Sequence, residues 1–94
     1  MDYRSKLKKA YEDYLVLLRK YRSIAKANLY DQVDEFIQEA NEALSILNSS
    51  NDIIPEQMYH NIMNEVERKT TNLEGAYKSA EKRKSAEDLL KTYK

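Results

Sequence analysis

The chain has 94 residues, enough for one domain, and equal numbers of acidic and basic residues leave it with no formal net charge. It contains no cysteine, which excludes disulfides and thiolate metal sites, and its single glycine excludes both the phosphate-binding loop and the dinucleotide fingerprint. Charged residues make up 34% of it and it holds one proline, a composition suited to long helices and poor in turns.

The amino terminus, Met1-Asp2-Tyr3-Arg4, has no apolar segment behind it, so no cleavable signal peptide is expected. The longest apolar run, Tyr14 to Leu18, is too short to cross a bilayer. A cytoplasmic protein is expected, and export would need a route without such a peptide. Apolar residues then recur with helical spacing from Tyr3 to Leu47. Leu7, Tyr11, Tyr14, Leu18, Ala25, Leu29, Phe36, Ala43 and Leu47 share one angle at about 100° per residue. Their phase predicts a first helix over residues 3–47, roughly 65–70 Å long.

Asn48-Ser49-Ser50-Asn51-Asp52 is the strongest loop signal, and a loop is expected over 48–54. Pro55 suits a first helical position, with Glu56 and Gln57 in the first turn. A second helix is expected over 55–93, with Met58, Ile62, Val66, Leu73, Tyr77, Ala80, Leu90 and Tyr93 as apolar positions. Thr70-Thr71-Asn72 and Gly75 lower its helix propensity and mark a place for a kink. The expected fold is all-α: a single domain over 1–94 forming a long antiparallel helical hairpin. Gly75 would then lie opposite Leu29 and Tyr30 and make room for a bulky side chain. The alternative is a three-helix bundle broken near Asn28, where Asn28 and Asp31 resemble a helix cap.

The neutral total hides segregated charge. Residues 1–26 hold eight Lys or Arg against three Asp or Glu, residues 27–67 hold nine acidic residues and no Lys or Arg, and residues 68–94 hold eight basic against four acidic. In a hairpin this makes a rod with an acidic tip and a basic base, a pattern that orients partners more than it tightens them. The first helix also carries apolar residues beyond one seam. Leu17 and Ile24, to one side of the seam, form the candidate partner-binding strip, and Val16, nearly opposite the seam, is a further partner-binding candidate. An isolated hairpin of this size is marginal, so a protein partner or a homodimer formed by helix packing is expected.

Catalytic groups are sparse. His60 is the only histidine, there is no Cys–His pair, and Glu35 with Glu39 or Glu65 with Glu67 are ordinary exposed helix pairs. No enzyme activity, cofactor or metal site is expected. Basic residues such as Lys8, Arg19 and Lys82 suit phosphate contacts, but neutrality and the acidic block do not favour nucleic acid.

Tyr77-Lys78-Ser79-Ala80-Glu81 places an aromatic and an acidic residue four apart on one helix face. With the length, the central turn and the scarcity of Gly and Pro, it resembles the small helical hairpins of the type VII secretion system, the Trp-x-Gly proteins and the partners of LXG toxins. The resemblance implies a non-catalytic adaptor that packs against a partner's helices and is exported with it, with Tyr77 and Glu81 as the export signal. No Trp-x-Gly stands in the loop, where Asn48 to Asp52 takes its place. A bacteriocin immunity protein and a phage-encoded inhibitor of a host protein are the alternatives.

Overall fold

The computed structural model describes residues 2–92. It contains α1 (Tyr3–Ile24), a short 3-10 turn at Ala27–Leu29, α2 (Tyr30–Ser49) and α3 (Glu56–Thr92), with no strand among the described residues. The all-α class holds, and the chain takes the three-helix form in place of one continuous helix over 3–47. Tyr93, where the second expected helix ends, lies outside the described residues.

The break has an identifiable cause. Ala25 and Lys26 are extended, with ψ of 156° and 145°, and the chain leaves the helix there. Asn28 caps nothing: it sits inside the 3-10 turn, and α2 starts after Leu29 without a side-chain cap. Burial decides the matter instead. Two rods of roughly 65 Å would share a single seam, whereas folding α2 back covers Leu15 and Leu18 with Val33 and Ala40.

Three arginines fasten the turned-back chain. Arg22 donates two hydrogen bonds to Asp34, at 2.6 and 3.2 Å, and lies 4.3 Å from the centre of the Tyr30 ring. Arg83 donates to the Ile24 carbonyl at 2.6 Å, satisfying a free acceptor at the end of α1. Arg4 does the same at the end of α2, donating to the Leu47 carbonyl at 2.8 Å and to the carbonyl of Asp52 in the following loop. At the start of α1, Asp2 accepts from the Ser5 backbone N–H at 3.1 Å.

These contacts fix the topology. Tyr3 stacks on Tyr59 with ring centres 4.3 Å apart, and Arg83 reaches Ile24 at the far end, so α1 and α3 run parallel. α2 runs antiparallel between Asp34 beside Arg22 and Leu47 beside Arg4. The result is a rod of 60 × 19 × 16 Å. Its radius of gyration is 16.5 Å, against about 12 Å for a compact chain of this length.

The core is Tyr14, Leu15 and Leu18 from α1, Val33 and Ala40 from α2, and Val66 from α3. The phase of α2 differs from the expected one. Val33, Ala40 and Leu47 are buried, whereas Phe36 is exposed and Ala43 only half-buried. The apparent single phase ran through a break that resets it.

α3 is unbroken through Thr70 to Gly75, and the Thr70 hydroxyl donates to the Val66 carbonyl one turn back at 2.8 Å. A Cβ added at Gly75 would meet nothing within 4 Å, so Gly75 makes room for neither Leu29 nor Tyr30. Beyond Arg83 the helix outruns its neighbours: residues 84–92 are all exposed and project about 13 Å. The acidic block is not a tip either. Asp31, Asp34, Glu35, Glu39 and Glu42 lie along α2, which spans the bundle, and Asp52, Glu56, Glu65 and Glu67 lie in the loop and the first part of α3, so the block is not gathered at one end.

Candidate functional site

α1 is the central helix. α2 and α3 both pack on it, but they make no close backbone approach to each other. Between them lies an open groove of about 300 Å³. Tyr14, Leu18 and Tyr21 of α1 form its floor. Val33 and Phe36 line the α2 wall, and Leu73 and Ala76 line the α3 wall. Polar groups stand at the mouth: Gln32 on one side, Lys69 and Asn72 on the other.

Phe36 is 37% exposed, a large aromatic ring left at the edge of an apolar cleft. Burial pushes the phenols of Tyr11 and Tyr14 above their ordinary range, and nearby carboxylates add to it: Glu65 for Tyr11, Glu39 for Tyr14. Both phenols therefore stay neutral at physiological pH. Lys69 lies 3.4 Å from Glu65 on the α3 rim. The cleft thus combines an apolar floor and walls with a polar mouth, and Glu39 of α2 lies near enough to act on the Tyr14 phenol of its floor. It suits an amphipathic segment better than a small polar substrate.

The three partner-binding candidates do not form one surface. Val16 is 50% exposed, isolated between exposed Glu12, Arg19 and Lys20. Leu17 and Ile24 are half-buried. On the helical wheel they fall within about 40° of Ala10, which lines a cleft with Met63 and Val66 of α3. They are therefore turned towards α3, the position a third helix takes in the bundle. Tyr77 is half-buried and Glu81 exposed, one turn apart within α3 and ahead of its projecting end.

The carboxylate pairs Glu35 with Glu39 and Glu65 with Glu67 are all exposed. His60 is exposed with its Nε2 3.5 Å from Glu56. Among the described residues no group of three His, Cys, Asp or Glu is placed to hold a metal ion, and no helix is long and apolar enough to cross a membrane.

Phe36 is the residue that sequence reasoning misplaced, since its spacing put it in the seam. A signal was present. Val33, Ile37, Ala40, Leu44 and Leu47 form a stripe of their own at spacings of four and three. Read for α2 alone, that stripe leaves Phe36 at the edge. Compared with known protein families, with characterised proteins and with solved structures, the chain gives no significant match.

Proposed function

We propose that this chain is a non-catalytic helix-docking module whose binding site is the groove between α2 and α3. The observation that supports this most is the pairing of an apolar cleft with an exposed phenylalanine, between two helices that fail to meet. An amphipathic helix laid there would cover Phe36, Leu73 and Ala76 and complete a four-helix cross-section. The rim charges would set its direction.

A photoreactive phenylalanine analogue at position 36, used in the producing cell, tests this directly. Crosslinks to a discrete helical segment are expected, and they should be absent when the analogue replaces Glu12 on the polar face. Identical products from both positions, or none from position 36, would refute the docking site.

Tyr77 and Glu81 support a narrower proposal, that the docked complex is carried by a type VII machine. Glu81 is exposed, so Glu81→Gln leaves the core intact. Secretion should fall while complex formation persists, and undiminished secretion of the variant would remove this part of the proposal.

A further inference from the structure

The projecting end of α3 carries an unpaired apolar stripe. Leu89 is 59% exposed and Leu90 66% exposed, and Ala86 lies one turn before Leu90. Among the described residues, 84–92 are all exposed, beyond the Arg83 hydrogen bond to Ile24 of α1. Exposed leucines on a free helix end are costly in water and favour a partner.

Asn72, Ala76, Ser79, Arg83, Ala86 and Leu90 follow one another along α3 at alternating spacings of four and three. That is the spacing of one continuous coiled-coil line. Its first two residues line the groove, and its last two belong to the projecting stripe. One side of one helix therefore carries both a cleft and a segment able to fill a cleft. A two-fold axis requires this arrangement, since each copy must offer the same two features to the other.

We propose that the groove is filled by the α3 end of a second copy of this chain, in an antiparallel, reciprocal dimer. This rests on the reading of the groove as a helix-docking site and names its occupant. An axis level with Glu81 sets Ala86 of one copy against Ala76 of the other, small against small, so the helices approach closely. It also carries Leu90 to the cleft at Asn72, beside Phe36.

Charge supports the same pairing. α2 carries Asp31, Asp34, Glu35, Glu39 and Glu42 and no Lys or Arg, while the charged residue that lines the groove itself is Lys69 of α3. The α3 end brings Lys82, Arg83, Lys84 and Lys91 against Glu87 and Asp88. The basic end of one copy thus lies near the acidic helix of the other, an attraction that Lys84 level with Lys78 in the same register partly offsets.

Disulfide trapping tests the register, because the native chain has no cysteine. Ala76→Cys and Ala86→Cys are made separately and oxidised alone and as a mixture. The two positions are about 15 Å apart within one helix and cannot join in one chain. The mixture should give a covalent dimer, whereas neither single variant should. Adding Leu90→Lys, an exposed position whose change leaves the bundle folded, should abolish trapping and shift the unlinked chain from dimeric to monomeric mass by light scattering.

A mixture that crosslinks no better than the single variants would overturn the proposal. Trapping of Ala86→Cys with itself would overturn it too, because it would indicate parallel ends. If trapping fails while the position 36 crosslinker captures a helix of another protein, the groove stands as a docking site and the second copy is not its occupant. If neither gives a product, both proposals fall.

Discussion

Leu18→Ala probes the core at its centre. Leu18 is fully buried and belongs to the cluster that joins all three helices. Comparable leucine truncations cost 2.7–5 kcal/mol, rising with the cavity left behind. Here the site borders the open groove, so water and Tyr14 can partly fill the space. The expected cost is therefore near the lower end, about 3 kcal/mol. Total stability for a chain of this length is roughly 5–14 kcal/mol. The melting temperature should fall by roughly 12–24 °C, at about 4–8 °C per kcal/mol. Urea unfolding followed by circular dichroism measures the change, with Ile53→Ala as the control. Ile53 is 93% exposed, and its truncation should stay within about 0.5 kcal/mol. A Leu18→Ala cost below about 1.5 kcal/mol, or one matched by Ile53→Ala, would refute this core.

Arg22, by hydrogen bonding and then by its charge, holds the Asp34 carboxyl below its ordinary 3.8. A carboxyl lowered in the folded state adds stability above its unfolded value, and that increment is lost as pH falls through the folded value. Asp34→Asn should therefore lower the urea midpoint at neutral pH, and the gap from the parent should close on acidification below about pH 4. Asp2, also lowered, is common to both proteins and cancels. A gap that persists at the acid end would show that the pair is not its source. Gly75→Ala should raise stability by about 0.5–1 kcal/mol, because the helix gains propensity and the new methyl group meets open space. A lower melting temperature in that variant would mean that the α3 backbone is more crowded there than the structure has it.

The helices were legible where a local pattern sufficed. The loop, expected from Asn48 and found from Ser50, the Pro55 start and the long last helix all follow from residue chemistry, and α3 begins one residue after Pro55. The break was legible only as the alternative near Asn28; the chain turns slightly earlier, at Ala25 and Lys26, neither of them a breaker, and Asn28 itself caps nothing. What bends the chain is burial of Val33 and Ala40 on Leu15 and Leu18, with Arg22 and Arg83 closing the corner, and these are contacts between distant positions. The groove was hidden for the same reason. Phe36 shares an angle with Leu18 only if the helix is continuous; once the chain turns, Phe36 rotates to the edge. Leu17 and Ile24 read as surplus apolar surface because the helix that covers their flank, α3, had been assigned to a different seam.

Everything proposed for the groove requires that α2 fold back beside α1. Nitroxide labels at exposed positions Lys9 and Glu42 report this by pulsed electron spin resonance, with excess unlabelled chain present to isolate intrachain pairs. In the folded-back chain the two positions sit side by side on neighbouring helices, whose axes are about 8–10 Å apart. The label-to-label distance should then be under about 30 Å, allowing for the labels themselves. A continuous helix would separate the positions by about 50 Å. A distribution centred near that longer distance would contradict the three-helix bundle and remove the groove with it.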